Sequence, residues 1–257
     1  VIYAISDLHF GDKGPRDNFA ARGSDRLFRF IDYVSQKSGQ IIILGDMFDW
    51  WQCNLGESII QYGDELNALY ASAAIWIPGN HDSDFTPLLK HGRITLPHPL
   101  LTRGRAPSLC SIGDKTFAFL HGHEADPYCN SSNPGTGELT AIISGLLEDK
   151  HGQDTGQVED RFVGGLERLL TLYRRLSGQH GRLDEMIDNV LKYRDDHGAG
   201  VVVSGHTHVP GRIGNHYFNS GTWCRDMDTF VQIEDDGTVR MFVWDGYKPI
   251  PFDKELR

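Results

Sequence analysis

Short apolar runs alternating with helical periodicity restrict the fold of this chain more than any other feature. Residues 1–6, 41–44 and 74–77 are β-rich apolar runs. Between them, Leu27, Phe28, Ile31 and Val34 fall near a helical repeat over residues 25–37, as do Ile59, Ile60, Leu66 and Leu69 over residues 57–71. This alternation predicts repeated βαβ units and a sheet with parallel strands. Thr86-Pro87 reads as the start of a short helix closed at Gly92. Residues 108–112 and 116–120 flank Gly113-Asp114-Lys115, and residues 228–233 and 238–243 flank Asp235-Asp236-Gly237, which predicts two hairpins and antiparallel β structure in the second half. Residues 124–199 show helical spacing through Leu139, Ile142, Ile143 and Leu146, through Phe162, Leu166, Leu169 and Tyr173, and through Leu183, Ile187, Val190 and Leu191. They read as a helical insertion within one domain spanning residues 1–257.

Each strand run ends in polar residues. The first leads to Asp7 and His9, and Ile41–Leu44 leads to Gly45-Asp46-Met47-Phe48-Asp49. Ile75–Ile77 runs into Pro78-Gly79-Asn80-His81-Asp82, Phe117–Leu120 into His121-Gly122-His123, and Val201–Ser204 into Gly205-His206-Thr207-His208. Open α/β sheets place their sites at the carboxyl ends of strands, where loops converge on one crevice. In an extended chain Asp7 and His9, at i and i+2, project from one face and could grip one cation. Taken singly, each motif is also explained by a turn, a helix cap or a hydrogen-bonded core histidine. Five such motifs, each after a strand, point to a metal site. Glycine before the ligands suits a backbone that turns sharply and approaches closely.

Composition narrows the partners. With 35 acidic against 25 basic residues and a formal charge of −10, adhesion to nucleic acid or anionic membrane through net charge is disfavoured. No apolar stretch approaches the roughly 20 residues that cross a bilayer, and the first residues read as a core strand rather than a leader, so the expected compartment is the cytoplasm. Cys53, Cys110, Cys129 and Cys224 form no C-x-x-C pair and are expected to be reduced thiols without a special role. Asn130-Ser131-Ser132 is then a chance sequon.

Taken in order, D-x-H, G-D-x-x-D, G-N-H-D, H-G-H and G-H-x-H over residues 7–208 resemble the motif set of the calcineurin-like metallophosphoesterases. The resemblance implies a four-layer α/β/β/α sandwich of two sheets flanked by helices, holding two divalent metals. It further implies that Asp7, His9 and His208 hold the first metal, that Asn80, His121 and His206 hold the second, and that Asp46 bridges them. Such a mix of imidazole, carboxylate and amide oxygen, with no thiolate, suits manganese first and iron or zinc as alternatives. Two metals roughly 3.5–4 Å apart can share a hydroxide and clamp phosphate oxygens, which makes phosphoester hydrolysis the expected reaction. In the family the histidine after the asparagine ligand lies near the leaving oxygen, paired with the second acid of G-D-x-x-D. Here those are His81 and Asp49, which makes His81 the expected general acid, the alternative being purely electrostatic contact with phosphate. Asp82 is expected behind the ligands, and His123 either beside them or facing substrate.

Within the family, Gly45–Trp51, Gly205–His208 and Asn219-Ser220-Gly221-Thr222-Trp223 are most similar to the branch containing UDP-2,3-diacylglucosamine hydrolase, which also carries a helical insertion between its H-G-x and G-H-T-H motifs. That branch has arginine in place of His81 and aspartate in place of His123, departures that bear on the substrate and leave the metal ligands intact; the expected substrate is a small-molecule phosphodiester or nucleotide-linked pyrophosphate. A DNA or RNA nuclease and a non-catalytic scaffold are the alternatives. Arg161, Arg168, Arg174, Arg175, Arg182 and Arg194 of the insertion could bind phosphates at a lid but read mostly as solvated faces. Trp50 and Trp51 read as partly buried packing residues.

Overall fold

Both faces of the first strand are buried, and this sets the layering. In the computed structural model, which describes residues 1–14, 17–51, 53, 55–82, 109–126 and 179–257, strand β1 (Ile2–Ile5) sits inside a six-stranded sheet. The helices on the outer side of this sheet are α1 (Asn18–Arg22), α2 (Asp25–Gln36), α3 (Leu55–Gln61) and α4 (Gly63–Ala71). Tyr3 and Ile5 of β1, with Ile41 and Ile43 of β2 (Gln40–Leu44), pack against Leu27, Phe30, Ile31 and Val34 of α2 and Leu66 and Leu69 of α4. Successive side chains of a strand alternate between faces, so Ala4, Ile42 and Leu44 point the other way. There they meet a second sheet, through Phe117 and Phe119 of β5 (Lys115–Phe119), Val201 and Val203 of β6 (Val201–Ser204) and Phe218 of β8 (Tyr217–Asn219). The outer face of that sheet, with Ala118 and Val202, is covered by Met186, Ile187 and Val190 of helix α5 (Gln179–Asp196). Helices, sheet, sheet and helix make the four layers.

The first sheet has the order β11-β10-β9-β1-β2-β3, with β3 (Ile75–Ile77), β9 (Asp228–Ile233), β10 (Val239–Trp244) and β11 (Pro249–Phe252). Strands β1, β2 and β3 are parallel, and β9 runs antiparallel to β1. The second sheet has the order β4-β5-β6-β8-β7, with β4 (Leu109–Ile112) and β7 (Gly211–Ile213), and β5, β6 and β8 are parallel. The carboxyl ends of six parallel strands, three from each sheet, deliver the loops described below. Both expected hairpins form, as β4–β5 and β9–β10.

Several details depart from the sequence reading. The helical stretch 57–71 is two helices separated at Tyr62, whose backbone leaves the helical region (φ −109°, ψ 24°). Its buried ring stacks on Phe10 with centroids 4.4 Å apart and its hydroxyl donates to Asp17 Oδ2 at 2.6 Å, tertiary contacts that a helical repeat does not encode. Strands β7, β8 and β11 were not expected; they are three or four residues long, and β11 tolerates Pro249 and Pro251 because it lies on a sheet edge. The expected helix at 86–92 and residues 127–178 of the insertion lie outside the described residues, as do Arg161, Arg168, Arg174 and Arg175. The last expected helical stretch of the insertion is described, as α5. Among the described residues, no helix is long and apolar enough to cross a membrane.

Candidate metal centre

Strand β1 ends at Ile5, so Asp7 and His9 do not reach the crevice by strand alternation as expected. Both adopt left-handed backbone, at φ 55° and 51°, and Asp46 (49°), His206 (71°) and His208 (57°) do the same. These are five of the eight non-glycine residues with positive φ among the described residues. Each such residue costs about 1–3 kcal/mol and persists only where surrounding contacts impose it. Here the contacts are main-chain bonds between loops: Asp7 N to Gly45 O at 3.1 Å, His9 N to Asp46 O at 3.0 Å and Gly205 N to His121 O at 2.8 Å.

The carboxylates are held by one oxygen and present the other. Asp7 Oδ2 accepts from His206 N at 3.0 Å, whereas Asp7 Oδ1 is fully buried without a hydrogen bond. His208 Nε2 stands 3.0 Å and His9 Nε2 3.7 Å from that oxygen, and the two imidazole nitrogens face each other at 3.2 Å. Asp46 Oδ1 accepts from His81 N at 2.9 Å, leaving Asp46 Oδ2 3.2 Å from His121 Nε2 and 3.8 Å from His9 Nε2. Asn80 Oδ1 lies 3.0 Å from His121 Nε2. His121 donates from Nδ1 to Leu44 O at 2.6 Å, which aims Nε2 at Asp46 and Asn80. His206 Nε2 meets Asp126 Oδ2 at 2.9 Å, and ligand atoms of Asp46, His121 and His206 all lie within 4.8 Å of one another.

Seven side chains that sequence reasoning nominated from five loops therefore converge, with Asp46 Oδ2 between two donor groups. The glycines show why those loops need them. A Cβ on Gly79 would run into Asp46 N and Oδ1, with Cγ only 2.8 Å away, and a Cβ on Gly45, at φ 87°, would meet the His121 ring.

The electrostatics follow from packing carboxylates and imidazoles together. Burial opposes ionisation of Asp46, but His121, His81 and His9 outweigh it and hold its carboxyl far below the usual range. Asp7 is likewise lowered despite burial, chiefly by His208. Burial also works against a charged His121, yet Asp46 pushes that ring up to about 10. Without a metal, protons take the positions that cations would compete for.

Around this cluster, His81 Nδ1 bonds Asp49 Oδ1 at 2.8 Å, and the His81 ring stacks on Trp51 with centroids 3.8 Å apart. Trp50 instead stacks on Phe48 at 4.9 Å. Asp82 is buried behind the ligands, accepting from Met47 N at 2.8 Å and Gly79 N at 2.5 Å; burial and Asp46 raise it to about 7. His123 is buried beside His121, with ring centroids 5.4 Å apart, and burial, with His121 and His206, lowers it to about 4.

Two residues near the centre were missed. Asp126 follows His123 on a short 3-10 turn (His123–Ala125), which α5 braces through Asn189 Nδ2 to Ala125 O at 3.0 Å; an acid five residues beyond a candidate ligand was its only sequence signal. Cys224, expected to be unremarkable, lies with His9 and His208 so that their ligand atoms are within 4.8 Å of one another. It arrives from the loop after β8, a strand the sequence did not reveal.

The donor chemistry fits a divalent metal on this geometry. An unbonded buried carboxylate oxygen and imidazole nitrogens facing one another are costly arrangements unless a cation or proton sits among them. Among the comparisons with known proteins, the family match agrees with this reading. A family model described as calcineurin-like phosphoesterase matches residues 1–210. No curated protein matches the sequence. Among solved structures, the chain is similar to a single mutant of Vps29 from Entamoeba histolytica, with 11% identity over 98% of this chain and 99% of that one and a TM-score of 0.46. It is also similar to Vps29 from Cryptosporidium parvum, with 15% identity, 98% and 97% coverage and a TM-score of 0.42. A conserved protein from Streptococcus pneumoniae described as a predicted phosphoesterase has 12% identity, 95% and 89% coverage and a TM-score of 0.39.

Proposed function

The chain belongs to the calcineurin-like phosphoesterases, and from that premise we propose that it hydrolyses a phosphodiester or a nucleotide-linked pyrophosphate with two divalent cations. Asp7, His9 and His208 would hold one cation, Asn80, His121 and His206 the other, and Asp46 both. The observation that carries this reading is Asp46 itself. One of its oxygens is tied to the His81 amide at 2.9 Å, and the other stands between His9 Nε2 at 3.8 Å and His121 Nε2 at 3.2 Å. When bound, the cations supply Lewis-acid stabilisation of charge on the phosphoryl oxygens and lower the pKa of attacking water. Manganese is the proposed metal, on the carboxylate, amide and imidazole donors.

The chain's own residues do the rest. Asp49 stays ionised, since its bond to His81 and the charges of His81 and His9 outweigh burial. By accepting from His81 Nδ1 it leaves Nε2 as the nitrogen that can carry a proton to the leaving oxygen. Stacking on Trp51 fixes the plane of that ring. The 124–199 segment is proposed to shape substrate access, supported by the hold of α5 on the turn leading to Asp126. The cytoplasm is the proposed compartment; Cys53, Cys110 and Cys224 are free thiols.

A panel on manganese-loaded protein tests the reading: bis-p-nitrophenyl phosphate, p-nitrophenyl phosphate, UDP-2,3-diacylglucosamine and single-stranded DNA, with Asn80→Ala as control. Turnover of a diester or the pyrophosphate that Asn80→Ala abolishes is the expected result. DNA cleavage alone would replace it with a nuclease, and no turnover at all with a scaffold.

A further inference from the structure

We infer that Cys224 is a sulfur ligand for the cation held by Asp7, His9 and His208, so that the two metal positions differ in chemical softness. The inference rests on the two-cation reading above and adds a donor and a selectivity to one half of it. The loop after β8 is bound tightly to the first motif. Ser6 Oγ and Ser220 Oγ lie 2.7 Å apart, and Ser6 Oγ donates to Gly221 O at 3.1 Å. Thr222 Oγ1 and Trp223 N both donate to Asp7 O, each at 3.1 Å. These bonds bring the buried Cys224 thiol to within 4.8 Å of ligand atoms of both His9 and His208.

A second observation points into the same place. Asp7 Oδ1 is fully buried, makes no hydrogen bond, and stands 3.0 Å from His208 Nε2 and 3.7 Å from His9 Nε2. The same two imidazoles thus stand near both an unbonded carboxylate oxygen and a sulfur. A thiolate joins the Asp7 carboxylate and the shared Asp46 carboxylate in offsetting the charge of the cation. On binding, the sulfur–metal bond replaces the S–H bond and the proton passes to solvent. Carboxylate, two imidazoles and thiolate suit zinc or cobalt, whereas manganese gains little from sulfur. The other position, with Asp46, Asn80, His121 and His206, offers oxygen and nitrogen only.

Cobalt(II) loading tests this without reference to catalysis. Cobalt in either position absorbs in the visible; only a thiolate ligand adds an intense sulfur-to-metal charge-transfer band in the near ultraviolet. The band is expected in the wild type, Cys53→Ser and Cys110→Ser, and it should vanish in Cys224→Ser while visible absorption persists. Titration of the same variant should show zinc affinity falling roughly tenfold (about 1.4 kcal/mol) relative to manganese. Visible absorption without the near-ultraviolet band in the wild type, or a band that survives Cys224→Ser, would overturn the sulfur ligand and leave the two-cation reading standing. No cobalt uptake at all would overturn both.

Discussion

Asp126 offers a sharp test of how the second donor group is held. Its Oδ2 lies 2.9 Å from His206 Nε2, with both side chains largely buried, so the ring donates from Nε2 and can ligate only through Nδ1. Such a carboxylate fixes the ring's orientation and makes the ligating nitrogen more basic. Removing a partner of this kind typically weakens metal binding about 10–100-fold, or about 1.4–2.8 kcal/mol. In Asp126→Ala the His206 N–H also loses its buried acceptor, which adds about 1–3 kcal/mol of destabilisation to the folded protein. Asp126→Asn keeps an acceptor but not the charge, and should fall between wild type and alanine. The assay is a competitive titration of manganese against a fluorescent chelator, with circular dichroism to verify folding. One of two binding steps should weaken by the stated factor and the other should change little. Unchanged affinity in folded Asp126→Ala, or equal weakening of both steps, would refute the argument.

Protons and metals should compete measurably. His121, raised to about 10 by Asp46, lies above its unfolded value of about 6.5. Its protonated ring therefore stabilises the metal-free fold fully below about pH 6.5, and that contribution is lost as pH rises toward 10. Urea unfolding of chelator-treated protein should show this loss and the metal-loaded protein should not, while calorimetry near neutral pH in buffers of different protonation enthalpy should register proton release on metal binding; a flat metal-free profile would contradict the assignment. Gly79→Ala forces a methyl against Asp46, so it should cost about 1–3 kcal/mol and weaken metal binding together, read by urea midpoint and chelator titration. His81→Ala should retain metal affinity yet slow turnover about 10²–10⁴-fold with an alkoxide leaving group and far less with nitrophenolate, in parallel steady-state assays; equal slowing would reject proton donation by His81. Arg26 is buried between Asp228 and the Trp223 carbonyl, and Arg22 is a second cation on Asp228, so Arg26→Ala, which leaves that carboxylate only its more exposed partner, should lower stability by about 1–3 kcal/mol in urea unfolding.

Sequence carried the alternation of strands and helices, both hairpins, and a set of polar residues after strands from which the resemblance to a family singled out the seven side chains that converge. These were legible because they are local: each donor follows an apolar strand run, and side-chain type sets what it can bind. What sequence misjudged depends on pairing between distant segments. Asp7 and His9 point inward through left-handed backbone imposed by main-chain bonds to Gly45 and Asp46, not through strand alternation. Which oxygen of each aspartate is tied and which is presented depends on amides about 35 and 199 residues away. Asp126 and Cys224 join the centre only because α5 braces one turn and the loop after the short strand β8 is bonded to Asp7. A residue's chemistry is written in its side chain; its neighbours in space are set by hydrogen bonds and packing that close long loops, and tertiary structure alone decided them.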